Sequence, residues 1–367
     1  MIQRFLSRRG FSGRAAALCL ALAGCVAPPK PVPDRASLER PAAPVARAPA
    51  AIRPYNPVSR PSPGTVSVIR ELVRSFDGTV GVSLRRSGAD WVVTEGADRP
   101  LPQQSVSKLW VALTLMDQVD RGLRSLDEPV FISKNDLVVF NQPLAAKVGA
   151  TGYTATLREL LGLAMTKSDN LANDSILRTV GGPDAVRATL TAKGLTGIRF
   201  GPGERVMQSQ TAGLTWRQDM AQGRRFYEER AKLSPDTRAG ALDRYFADPV
   251  DGATPGGITN ALLRLAQGGL LTPASTQLLL GLMSDSTTGK NRLRAGVPVG
   301  WRFGHKTGTG QNLGARTVGY NDVGYLVAPD GTIYTLAVMI GSTTRPVPDR
   351  MALMQAVAAA VTTNHTR

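Results

Sequence analysis

The sequence predicts an α+β domain, in which an antiparallel sheet built from N- and C-terminal strands packs with a mainly helical lobe. Strand-like segments gather near the start of the globular region and again near its end. The long stretch between them carries apolar residues at helical spacing, with cap residues at its breaks. A repeating βαβ chain would instead alternate the two patterns throughout.

Taken in order, Val66–Ser75 predicts a short helix. Thr79–Leu84 and Trp91–Thr94 predict two strands joined by a polar turn. Ser105 opens a strongly apolar helical run, with Val106, Leu109, Trp110, Leu113 and Met116 at helical spacing. Thr156-x-x-Glu159 forms a capping box ahead of a helix over Leu157–Met165, and Gly181-Gly182 ends the next one. Thr254-Pro255 and Thr272-Pro273 each set an N-cap residue before a proline at the first helical position. Trp301–Lys306, Asp322–Val327 and Thr332–Ile340 predict three closing strands, and Asp349–Val361 a closing helix.

Lys and Arg number 44 against 28 Asp and Glu, a net charge of +16. Without Arg4, Arg8, Arg9 and Arg14 the balance is +12, and residues 65–367 alone carry about +8. Such a chain attracts anionic small molecules or a polyanionic envelope. It has no basic run interleaved with aromatics and no zinc-finger pattern, so nucleic acid is not an expected partner.

The N-terminus predicts export. A basic segment, Met1–Arg14, precedes a short apolar run, Ala15–Ala23, too brief to span a bilayer. Leu22-Ala23-Gly24-Cys25 resembles a bacterial lipobox, which makes residues 1–24 a signal peptide and Cys25 the lipidated new N-terminus. Ser7-Arg8-Arg9-Gly10-Phe11 matches the twin-arginine export motif in part. Residues 25–64, rich in Pro and Ala, read as an extended tether. The expected location is the periplasmic side of the cell envelope. Val26 after Cys25, in place of an aspartate, points to the outer membrane.

Three short motifs occur in order: Ser105-Val-Ser-Lys108, Ser168-Asp-Asn170 and Lys306-Thr-Gly308. Singly each is weak, since S-x-x-K alone arises about once in a chain of this length. Together they resemble the trio of class A β-lactamases and penicillin-binding proteins. At a helix start, unpaired N–H groups favour negative charge on Ser105, and Lys108 lies one turn away on the same face. A lysine held among apolar neighbours and other cations can lose its proton and accept that of the serine. Ser168 is the candidate proton relay to a leaving nitrogen, and Asn170 offers its amide to the substrate. Lys306 is expected to face the substrate's carboxylate, while Gly308 lets the substrate approach the backbone. The resemblance implies an oxyanion hole from the N–H groups of Ser105 and Thr309, with Thr307 beside them.

From Val66 to Val361 the chain resembles a class A β-lactamase domain, set within residues 65–367. Leu163–Gly182, Thr254–Met283 and Asn321–Gly324 also fit that family. The family places a water-activating glutamate on an omega-shaped loop, four residues before an asparagine. Here Glu204 is the candidate, with Gln208 in the asparagine's place and Pro202 where an arginine is usual. Asp251 and Thr254-Pro255 match the loop's closure, so the loop, about 204–251, is enlarged by an aromatic, basic insert expected to add a helix over the cleft.

The resemblance implies a hydrolase that opens β-lactam rings through an acyl-enzyme on Ser105. Slower deacylation would make it a D-alanyl-D-alanine peptidase or penicillin-binding wall amidohydrolase, and a non-catalytic wall-binding lipoprotein stands as a third reading. A β-lactam or a peptidoglycan-derived molecule is the expected ligand, with the lipid as the only membrane contact. A monomer is expected, with no cofactor and no metal, since the mature chain has no Cys, His and carboxylate cluster.

Overall fold

The computed structural model describes residues 60–366, so the proposed signal peptide, Cys25 and most of the tether lie outside the described residues. Helix α1 (Pro63–Ser75) begins on Pro63 at its first turn, so Pro63 and Gly64 belong to the domain rather than to the tether. Strands β1 (Thr79–Arg86) and β2 (Val92–Gly96) form a hairpin. The short β3 (Leu101–Pro102) leads to a 3-10 turn, Gln104–Ser107, and then to α2 (Lys108–Asp120).

In the helical lobe, β4 (Pro129–Ile132) pairs with β5 (Tyr153–Thr156) ahead of α3 (Leu157–Thr166), α4 (Asn170–Thr179) and α5 (Gly182–Ala192). Thr156 caps α3 by accepting the N–H of Glu159 at 3.1 Å. The Glu159 carboxylate turns instead to Lys147 and Tyr153. Every residue of α2 from Lys108 to Met116 is buried, because α3, α4, α5 and α10 (Pro273–Ser284) surround it.

Residues 204–251 are largely helical rather than an open loop. They hold α6 (Glu204–Ala212), α7 (Arg225–Lys232) and α8 (Pro235–Ala247). The reason is local: Ser234 accepts the N–H of Thr237 at 3.1 Å and Pro235 opens α8, the same start signal as at Thr254-Pro255. The segment also has apolar anchors of its own. Phe226 and Met220 pack with Val139 and Ala212, while Leu242 and Tyr245 pack with Met207 and Val318.

After β6 (Gly252–Ala253), helices α9 (Pro255–Ala266) and α10 start on their predicted Thr-Pro caps. Strands β7 (Arg302–Thr309), β8 (Asn312–Leu313), β9 (Arg316–Val327) and β10 (Ile333–Thr343) follow, and α11 (Val347–Thr363) closes the chain. The sheet runs β2–β1–β10–β9–β7, antiparallel throughout, with β8 also paired to β9. Its long strands read as continuous apolar runs because both faces are covered. Leu336, Val338 and Ile340 of β10 face the α1 and α11 side, while Ala337 and Met339 face the lobe. The expected α+β architecture is therefore the observed one.

Asp251 ties the end of the insert to the centre of the domain. Its carboxylate, 1 % exposed, accepts the Gln104 N–H at 2.7 Å and the Tyr245 hydroxyl at 2.9 Å. Burial pushes its pKa up to about 6. The folded protein therefore binds this proton more tightly than the unfolded chain does. Stability falls as pH rises from about 4 to about 6, by up to roughly 3 kcal/mol from this one group. Urea midpoints at pH 5 and pH 7.5 should accordingly differ less in Asp251→Asn than in the wild type. An equal difference in the two proteins contradicts the assignment.

Candidate active site

Ser105 lies inside the 3-10 turn rather than on the α-helix, which begins at Lys108. The cause is Gln104, a non-glycine residue in the left-handed region at φ +54. Its conformation is held from three sides. Asp251 accepts its N–H, Tyr245 accepts from its Nε2 at 2.7 Å, and Gln208 donates to its Oε1 at 3.0 Å. The turn that carries Ser105 is thus braced by the insert.

Lys108, 1 % exposed, donates to the Ser105 Oγ at 3.0 Å and forms a direct ion pair with Glu204 Oε1. Its immediate partner is therefore a carboxylate, not an apolar wall. Glu204 is the first residue of α6 and is itself buried. Gln208, one turn on, donates to Glu204 Oε2 at 3.1 Å, and Gln311 donates to Gln208 Oε1 at 3.0 Å. Side chains from three separate segments converge on Ser105 through this chain.

Asp174 is a further carboxyl group in this region that sequence reasoning missed. Its Oδ1 accepts the N–H of Glu204 at 3.4 Å, at a helix start whose N-cap, Gly203, has no side chain to do so. Desolvation, and then the Glu204 carboxylate beside it, push its pKa up to about 6.

Ser168 lies between α3 and α4 at φ +57, again strained for a side-chain-bearing residue. Asn141 donates to the carbonyls of Lys167 at 2.7 Å and of Ser168 at 2.9 Å, and so pins the turn. Lys306 Nζ reaches the Ser168 Oγ at 2.9 Å and the Thr307 carbonyl at 3.2 Å. It is fully buried behind Ser168, so its contact is the serine and not the open cleft. Burial, followed by the cations of Lys108 and Arg292, holds its pKa well below the usual lysine range. His305, next along β7, takes the other face and pairs with Asp322 at 2.7 Å.

A cavity of about 500 Å³ opens over these groups, with Ser105, Ser168, Asn170, Thr307 and Thr309 on its wall. Asn170 donates its Nδ2 to the Val139 carbonyl at 2.9 Å, which leaves its carbonyl oxygen to offer a substrate N–H. Two cations line the cavity, Arg230 and Arg292, and no motif marked Arg292. It donates to the Gly308 and Asn321 carbonyls at 3.0 and 2.7 Å and to the Thr309 Oγ1 at 2.6 Å, with the Tyr320 ring 3.8 Å away. Gly308 also has a close protein neighbour. A Cβ there would lie 2.2 Å from the Gln103 carbonyl, so the glycine lets β7 abut the turn that carries Ser105.

The profile of the beta-lactamase enzyme family matches residues 65–365. The chain is 24% identical to beta-lactamase VEB-1 of Pseudomonas aeruginosa, over 74% of this chain and 80% of that protein. It is 29% identical to a beta-lactamase of Amycolatopsis lactamdurans, over 76% of this chain and 78% of that one. Among solved structures, a beta-lactamase from Chitinophaga pinensis superposes with a TM-score of 0.65 at 25% identity, covering 81% of this chain and 97% of that one. A class A beta-lactamase from Bacteroides cellulosilyticus, 23% identical, shares the fold at a TM-score of 0.68, with 83% and 97% covered. The chain belongs to the beta-lactamase enzyme family.

Proposed function

We propose that this protein is a serine hydrolase that opens β-lactam rings through an acyl-enzyme on Ser105 and releases the product with a water activated by Glu204. The observation that supports this most is the unbroken contact from Ser105, on the wall of the cavity, through Lys108 to Glu204. A lone Ser-Lys pair suffices for acylation. A carboxylate held on the same lysine adds the base that deacylation needs.

In this reading Lys108 passes a proton to Glu204 across their contact, and its neutral amine takes the proton of Ser105. The serine oxygen attacks the lactam carbonyl, whose charge is received by the N–H groups of Ser105 and Thr309. Ring opening breaks the C–N bond, and the nitrogen takes the hydroxyl proton of Ser168. Lys306 restores that proton and is itself recharged by the one that left Ser105. Glu204 returns its proton to Lys108 and then draws one from water. The hydroxide attacks the acyl carbon, and Ser105 leaves with the proton returned. Arg292, Thr307 and Thr309 form the polar wall for the substrate's carboxylate, the role the motif alone assigned to Lys306.

A stopped-flow assay with a chromogenic cephalosporin tests this. Steady turnover that is lost by at least 100-fold in Ser105→Ala is the expected result. A burst followed by a stable adduct would make the protein a penicillin-binding amidohydrolase instead.

We also propose that the chain is exported and works as a monomer at the periplasmic side of the envelope, held by lipid on Cys25. The lipobox-like Leu22–Cys25 and the Pro/Ala-rich 25–64 segment support this. Among the described residues no helix is long and apolar enough to cross a membrane. Cys25→Ser should therefore move the protein from the membrane fraction to the soluble one. An unchanged membrane fraction would count against the anchor.

A further inference from the structure

The insert brings two side chains into the cavity that the reaction above does not use, Tyr227 and Arg230 of α7. They lie one helical turn apart and so share a face. The helix is fixed against the loop that carries Asn141. Phe226, buried, meets the Phe140 ring edge-on at 5.0 Å, and Tyr227 lies 6.0 Å from the same ring. Tyr227 itself is 51% exposed and borders the cavity, so one aromatic face is open to a ligand.

Arg230 is held by a single hydrogen bond, from Nη1 to the Asn312 carbonyl at 3.1 Å. Its Nε and Nη2 are buried and have no protein partner, and among the described residues no carboxylate forms an ion pair with it. Burial, followed by the cation of Arg238, lowers its pKa. A guanidinium that loses water without gaining an anion is costly, and a ligand carboxylate brought beside it in the cavity would relieve that cost. Asn312 lies three residues beyond Thr309, up to about 10 Å further along the chain. Arg230 and Arg292 are thus anchored at different residues of the cavity wall, Asn312 and Thr309.

We propose that Tyr227 and Arg230 form a subsite for the acyl side chain of the β-lactam, one that selects side chains bearing both an aryl group and a carboxylate. The aryl ring would lie against Tyr227, and the carboxylate would pair with the Arg230 guanidinium where it borders the cavity. This rests on the reading of the cavity as a β-lactam site.

The test compares benzylpenicillin with its α-carboxybenzyl analogue. In Arg230→Gln, which removes the charge and keeps a polar side chain, the ratio of kcat/KM for the carboxylated over the plain substrate should fall about tenfold, mainly through KM. Arg230→Lys should restore part of the ratio. A ratio that does not change in Arg230→Gln overturns the subsite, because a purely structural role would weaken both substrates together. The same ratio read as Kd by calorimetry on Ser105→Ala, with and without Arg230→Gln, needs no turnover. Absence of turnover in the wild type would sink the hydrolase reading, while that Kd ratio would still decide the subsite.

Discussion

The Lys108 ammonium and the Glu204 carboxylate lie against each other where almost no water reaches, with side-chain exposures of 0% and 4%. Neither charge could occupy that position alone, since the desolvation of an unpaired ion costs several kcal/mol or more. The pairing couples two distant pieces of chain, the start of α2 and the start of α6. It also sets Ser105, because the lysine that meets the carboxylate also donates to the serine hydroxyl. Much of the surrounding polar structure answers to this one contact. Gln208 satisfies the second oxygen of Glu204, Gln311 supports Gln208, and Gln104 links the same network to Tyr245 and Asp251.

This dependence explains why the insert is folded rather than loose. α6 must present Glu204 at a fixed depth, and α8 must bring Tyr245 and Asp251 to the strained Gln104. Strain of this kind costs on the order of 1–3 kcal/mol and persists only where neighbours over-determine it. Ser168, at φ +57, shows the same principle on the other side of the cavity, with Asn141 and Lys306 as its supports. The two strained residues belong to the two halves of the proposed chemistry, nucleophile and proton relay.

How much was legible in the sequence depended on the range of the interaction. Ser105, Lys108, Ser168 and Lys306 stand in short motifs, because a residue and its neighbour one turn away are fixed by local geometry. The Thr-Pro helix starts at Thr254 and Thr272 were readable for the same reason, and Ser234-Pro235, equally local, went unmarked. Long-range partners left no local trace. Arg292 sits in an unremarkable Asn-Arg-Leu stretch, yet the fold places its guanidinium on Thr309. Asp174 looks like an ordinary helix residue until α6 is laid beside it. Two residues that the motifs identify also make protein contacts that the motifs do not mark. Lys306 addresses Ser168 from behind, and Gly308 makes room for the Gln103 backbone. Both facts depend on how β7 meets the Ser105 turn, which no single segment encodes.

The most direct test of the Lys108–Glu204 contact is intact mass spectrometry of Glu204→Gln mixed with benzylpenicillin. In the variant the Lys108 amine still lies against the Ser105 hydroxyl, so acylation proceeds. The amide that replaces the Glu204 carboxylate cannot activate the water. The account predicts that nearly all of the variant carries one penicilloyl group on Ser105, with release slowed by at least 100-fold. Wild-type turnover with no adduct would contradict it.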